Sequence, residues 1–167
     1  MNDALREMGS RVMMMFGRGV LRGVTDTGPR QQVQVELLKD ELRDGLEHMQ
    51  NYGFTSHPLG GDVAVAFLGG NREQGIVLVV DDRRYRLALL PGEVAIYDDQ
   101  GNKIELLRDM VKITAVQKIQ IDAPAGEFNI DDFDINGGSL KHNGKNIGST
   151  HQHSGVTSGS GNSGVPV

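Results

Sequence analysis

The chain has 167 residues, with 22 acidic and 17 basic side chains for a formal net charge of −5, 23 glycines, and neither cysteine nor tryptophan. Without cysteine there are no disulfide scaffolds, thiolate zinc centres, iron–sulfur clusters or cysteine nucleophiles, and the acidic balance argues against a general grip on nucleic acid, leaving local basic patches such as Arg83, Arg84 and Arg86. With 38% hydrophobic and 5% aromatic residues, a large aromatic-rich enzyme core is not expected, and the length suits one or two small domains.

Leu5, Met8, Val12 and Met15 or Phe16 recur at three- and four-residue spacing behind a capping Asn2 or Asp3, which predicts an amphipathic helix over 3–16 ended by Gly17 and Gly19. Its apolar face either packs on its own domain or docks a partner. The longest apolar runs, 12–16 and 76–80, are far short of a membrane-spanning helix. The acidic start at Asp3 and Glu7 does not read as a secretory signal, so cytoplasmic synthesis without export is expected.

Between Gly19 and Leu89 the pattern changes to short runs rich in valine and leucine, at 20–25, 32–37, 62–68, 75–80 and 84–89. Thr27-Gly28-Pro29, Pro58 with Gly60-Gly61, and Gly69-Gly70-Asn71 supply turns between them. Five short strands predict a small barrel of the oligonucleotide- and oligosaccharide-binding (OB) type. The charged stretch 39–47 reads equally as a long loop or a short helix.

Beyond Pro91, apolar pairs recur as Val94/Ile96, Ile104/Leu106, Val111/Ile113, Ile119/Ile121, Phe128/Ile130 and Phe133/Ile135. Each pair shares one face of a strand. The steps between them are too irregular for a strict solenoid and read as a loose repeat of single strands. Two or three inward side chains per strand cannot bury enough surface for one chain to form a stable stack, so neighbouring chains are expected to complete it, pairing its edges in a symmetric oligomer. From 146 onward there is no Asp, Glu, Lys or Arg, and 154–164 has the composition of a linker whose small residues would let backbones approach closely at a narrow tip.

Gly159-Ser-Gly161-Asn-Ser-Gly164 matches a dinucleotide fingerprint in letters only, since no βα unit precedes it. Asp132, Asp134, Asn136 and Gly137 match half an EF-hand loop, but its twelfth position is Asn143, which excludes a true EF-hand. Asp122, Glu127, Asp131, Asp132 and Asp134 leave a candidate surface calcium site, with solvated acidic turns the simpler reading. His48, His57 and His142 read as isolated surface or turn residues without a paired nucleophile, and no nucleophile elbow or zincin helix is present, so no enzymatic activity is expected. Thr150-His151-Gln152-His153 differs from these, because in extended backbone His151 and His153 share a face. Two imidazoles per chain are too few for zinc's tetrahedral shell, whereas three chains about an axis supply six, which suits an octahedral first-row ion.

His151-Gln-His153-Ser-Gly155-Val156, continuing through glycine, serine and asparagine to Pro166, resembles the tip of the central spike proteins of contractile-tailed bacteriophages, and specifically the Mu-like (V-type) baseplate assembly family. Gly61-Asp62-Val63-Ala-Val-Ala-Phe67-Leu68-Gly69-Gly70 followed by Gly75-Ile-Val-Leu resembles the end of that family's N-terminal barrel, and 94–145 is similar to its intertwined triple-stranded β-helix. Ser158 stands where relatives often carry proline. The resemblance implies an iron ion on the three-fold axis, one per trimer, held by His151 and His153 of each chain.

The expectation is therefore an all-β homotrimer: an N-terminal helix at 1–17, an OB-fold domain at 18–90, a triple-stranded β-helix shaft at 91–145 and a metal-capped apex at 146–167. It would be made in the host cytoplasm, carried in the virion tail baseplate against hub and tail-tube proteins, and driven mechanically through the host outer membrane by sheath contraction, with no nucleic-acid partner and no catalytic residue. The rival reading is an oligosaccharide- or nucleic-acid-binding OB module with a disordered Gly/Ser-rich tail, for which Tyr52, Phe54 and Arg72 are the candidate contacts.

Overall fold

The computed structural model describes residues 3–151, 154, 155 and 159. The chain divides into two compact units, 1–119 and 120–167, a boundary that falls inside the segment expected to form the shaft.

The first unit opens with α1 (Asp3–Met13), which ends earlier than its periodicity suggests. Phe16 already pairs with Ala66 as the first residue of β1 (Phe16–Thr25), and Met15 offers its carbonyl to Phe67 N–H at 2.7 Å. Gly17 and Gly19 are therefore strand residues rather than helix terminators. A Cβ on Gly19 would lie 2.6 Å from the carbonyl oxygen of Glu36 and from Cγ1 of Val35, so glycine is what lets β1 approach β2.

β1 is followed by β2 (Gln32–Leu38), β3 (Glu41–His48), β4 (Asp62–Phe67) and β5 (Gly75–Asp81), which form a closed barrel in the order β1-β2-β3-β5-β4. All neighbours are antiparallel except β3 and β5, whose short parallel pairing closes the ring at Glu47↔Ile76 and His48↔Val77. Strand alternation sends Leu21, Val33, Val35, Leu46, Val63, Val65, Phe67 and Val77 into one buried core. A five-stranded OB-like barrel is thus present, but two of its expected parts change places. The undecided stretch 39–47 is a strand, β3, and 84–89 is not a strand. Once β3 pairs with β5, every strand has two neighbours and no edge remains for a further one; the chain instead turns at 82–85, where Tyr85 N–H bonds the Asp82 carbonyl.

After Pro91 come β6 (Val94–Tyr97), β7 (Lys103–Leu106) and β8 (Val111–Thr114), an antiparallel meander. The first three apolar pairs of the shaft segment thus hydrogen-bond to one another within the chain. Beyond β8 the pairs at 119–135 lie in no strand of the single chain, and the regular structure among the described residues of the second unit is the hairpin β9 (Lys141–His142) and β10 (Lys145–Asn146). Asn143 and Gly144 form its two-residue turn with φ of 48° and 78°, the backbone that Asn-Gly adopts at low cost.

Candidate functional site

The β6–β7–β8 sheet is inside out for a solitary chain. Its register stacks Val94, Leu106 and Val111 in one row and Ile96, Ile104 and Ile113 in the next, so all six aliphatic side chains share a face. That face is open to solvent: Val94, Ile96, Val111 and Ile113 are more than half exposed, and Ile104 and Leu106 more than two-fifths. On the opposite face sits the buried Glu105, whose carboxylate accepts a hydrogen bond from Lys103 Nζ at 3.0 Å. An apolar surface of this kind marks an interaction site, and each such side chain is worth about 1.5–3 kcal/mol when fully buried.

Beyond β8 the same pattern continues without a ladder. Ile119, Ile121, Phe128, Ile130, Phe133 and Ile135 are all at least half exposed, and the Phe128 and Phe133 rings stack on each other at 5.6 Å. The acidic residues between them do not gather: Asp122 accepts from Gln120 and Asp134 from Asn136, and no group of three His, Asp or Glu side chains able to hold a metal ion occurs among the described residues.

Below the hairpin the chain turns back on itself. Ile147 N–H bonds the Leu140 carbonyl at 2.7 Å, Gly148 N–H bonds Asn146 Oδ1 at 2.9 Å, and the Gly148 carbonyl accepts His151 N–H at 3.1 Å. Thr150 thus lies in a turn rather than in the extended backbone expected of 150–153. The imidazole of His151 folds onto the same carbonyl, with Nδ1 2.7 Å from Gly148 O. A carbonyl oxygen only accepts, so this bond requires the proton on Nδ1, which in a neutral ring makes Nε2 the unprotonated nitrogen. This is the arrangement in which a histidine is usually presented to a metal, and the donor chemistry at His151 fits an imidazole-bound first-row ion. His153 lies outside the described residues.

The other histidines depart in part from expectation. His48 is buried on β3 rather than at the surface or in a turn, hydrogen-bonded to Gln31, and burial lowers its pKa. The sequence signal was available, since His48 stands two residues after the buried Leu46 and so shares its inward face. His57 is exposed, 3.6 Å from Asp26, and His142 is exposed in the hairpin. Arg83 and Arg84 pair with Asp62 and Asp82, which occupies much of the local basic patch. Of the rival reading's contacts, Arg72 is bound through both oxygens of Glu41 and lies over the Phe67 ring. Tyr52 and Phe54 are exposed in the segment entering β4, while Arg72 lies in the segment leaving it.

Residues 18–84 match the model of the family described as Bacteriophage Mu Gp45, N-terminal. The chain is 38% identical over 141 residues to the baseplate puncturing device gp45 of Escherichia phage Mu, covering 78% of this chain and 72% of that protein. The chain belongs to the Mu gp45 family. A second relative, Mu-like prophage FluMu protein gp45 of Haemophilus influenzae, is 32% identical over 112 residues, covering 66% of this chain and 62% of its own length. The matched segment 18–84 contains the whole barrel apart from the first two residues of β1, and membership places the chain among Mu-like phage baseplate spike proteins.

Proposed function

We propose that this protein is the non-enzymatic central spike of a contractile phage tail, a homotrimer that pierces the host outer membrane when the sheath contracts. The observation that carries the reading is the exposed aliphatic face of β6–β7–β8, continued by the exposed pairs up to Ile135. A single chain leaves these side chains in water. Three chains wound about a common axis turn them inward as a column and pair the strand edges that a monomer leaves bare. The name of the Mu relative, a puncturing device, agrees with a mechanical role.

In this reading the barrel is the base, held against hub and tail-tube proteins, and 91–145 is an intertwined triple-stranded β-helix. The interchain backbone hydrogen bonds and the apolar column resist bending, and the tip concentrates the contraction force. His151 and His153 of three chains would bind one iron ion; when bound, it would cross-link three copies of a segment that from residue 146 onward carries no Asp, Glu, Lys or Arg side chain. A metal that binds only the assembled state stabilises it by mass action. Calcium at the acidic turns of 122–134 has no three-residue carboxylate cluster to support it among the described residues of one chain.

The test is a phage carrying His151→Ala/His153→Ala compared with wild type for assembly, adsorption and DNA delivery. The apolar pairs end at Ile135, well before the histidines, so assembly and adsorption should be normal and delivery impaired. Normal delivery by metal-free particles would contradict a role for the metal in piercing, and loss of assembly would mean that the tip nucleates the trimer.

A further inference from the structure

Asn146 occupies the centre of the histidine turn and uses both ends of its amide. Its Oδ1 accepts the Gly148 N–H at 2.9 Å, and its Nδ2 donates to Thr150 Oγ1 at 2.8 Å. Between those two anchors lies the Gly148 carbonyl, which receives both the backbone N–H and the Nδ1–H of His151. The turn is also closely packed. A Cβ on Gly148 would lie 3.2 Å from Asn146 Oδ1 and 3.3 Å from the Leu140 nitrogen, so the backbone approaches its support where a side chain would push it away. The Asn146 amide thus fixes the direction of one carbonyl, and that carbonyl fixes the imidazole.

We propose that Asn146 is a positioning residue for His151: by holding the 147–150 turn it selects the Nδ1–H tautomer and presents Nε2 as the ligating nitrogen. The ligand role rests on the metal reading of the tip given above; the tautomer assignment does not. In a neutral histidine free in water the Nε2–H form is the commoner tautomer, so a protein that needs Nε2 as donor must supply an acceptor for Nδ1–H, and a backbone carbonyl does this without adding charge. An acceptor that swings away from the ring leaves the proton to redistribute and the ring to rotate, and outer partners of this kind are commonly worth about 10–100-fold in metal affinity.

The test compares wild type, Asn146→Ala, Asn146→Asp and Thr150→Val. Aspartate keeps an acceptor for Gly148 N–H and can accept from the Thr150 hydroxyl, so it should restore what alanine loses; Thr150→Val removes only the outer anchor. The first readout is the tautomer of His151 by long-range 1H–15N spectra of histidine-labelled, metal-free protein at a pH above the imidazole range. The second is iron(II) affinity by chelator competition. Wild type and Asn146→Asp should show Nδ1–H, Asn146→Ala should shift toward Nε2–H with affinity reduced about 10–100-fold, and Thr150→Val should fall between. An Asn146→Ala protein that keeps both the Nδ1–H tautomer and wild-type affinity overturns the proposal, as does an Asn146→Asp protein no better than alanine. A wild type that binds no iron overturns the metal reading and the ligand role, while the tautomer spectra still decide whether Asn146 sets the ring. Should Asn146→Ala fail to fold, Thr150→Val on the exposed side of the turn decides the same question.

Discussion

His48 Nδ1 lies 2.6 Å from Oε1 of Gln31, and both side chains are buried. The amide of Gln31 is oriented by its other end, where Nε2 donates to Asp26 Oδ2 and to the Ser56 carbonyl, each at 2.9 Å. Gln50 completes the cluster by accepting Ser56 N–H at 2.6 Å and donating to the Ser56 carbonyl at 3.1 Å. The segment 49–61, which joins β3 to β4, is thereby fastened to the barrel through hydrogen bonds. Replacing Gln31 with leucine keeps its bulk and strands the His48 Nδ1–H, which should cost about 1–3 kcal/mol in denaturant unfolding followed by circular dichroism.

The same pair makes stability depend on pH. Burial lowers the folded-state pKa of His48 below its ordinary 6.5, so the unfolded chain takes up a proton more readily than the folded one. His48 therefore favours folding fully above pH 6.5, and that contribution is lost as pH falls from there through the folded pKa. A His48→Gln variant should show a flatter decline over this window than wild type; an identical slope would assign the decline to other groups.

Gly19 and Gly9 offer a matched contrast. Gly19→Ala places a methyl against the Glu36 carbonyl and Val35 at 2.6 Å, and should destabilise by about 1–3 kcal/mol. Gly9→Ala, in α1 with nothing within 4 Å of the added carbon, should stabilise the helix by up to about 1 kcal/mol. Thermal unfolding of the two variants separates close strand approach from simple chain entropy.

Ile104 sits mid-sheet between Ile96 and Ile113. In a monomer an aspartate there would be partly solvated and change stability by less than about 0.5 kcal/mol. Inside a trimeric column it would bury an unpaired charge. Ile104→Asp should thus dissociate the oligomer while leaving the barrel folded, as seen by sedimentation and circular dichroism together.

These outcomes follow how the sequence encodes each part. β2, β4 and β5 were legible because Val33/Val35, Val63/Val65/Phe67 and Gly75/Val77 alternate cleanly between core and solvent. β3 was not. Gly45, at φ +69°, and register shifts in its pairing with β2 break the alternation, leaving Leu42 and Leu46 at a helical spacing. The run at 84–89 has the composition of a strand, but whether it pairs depends on ring closure between β3 and β5, a contact between residues nearly thirty apart that no local pattern records. The shaft pairs were visible in the sequence, as was their exposure in a lone chain. The histidine turn was not, because its geometry comes from the bonds of the Asn146 side chain to the Gly148 N–H and to Thr150 Oγ1 rather than from periodicity.

The central claim is that three chains bury what one exposes, and native mass spectrometry of the intact protein with elemental analysis tests it most directly. The account predicts a species of three times 18.1 kDa carrying one metal ion, with the metal but not the trimer lost in His151→Ala/His153→Ala. A monomer of 18.1 kDa that persists at all concentrations would contradict it.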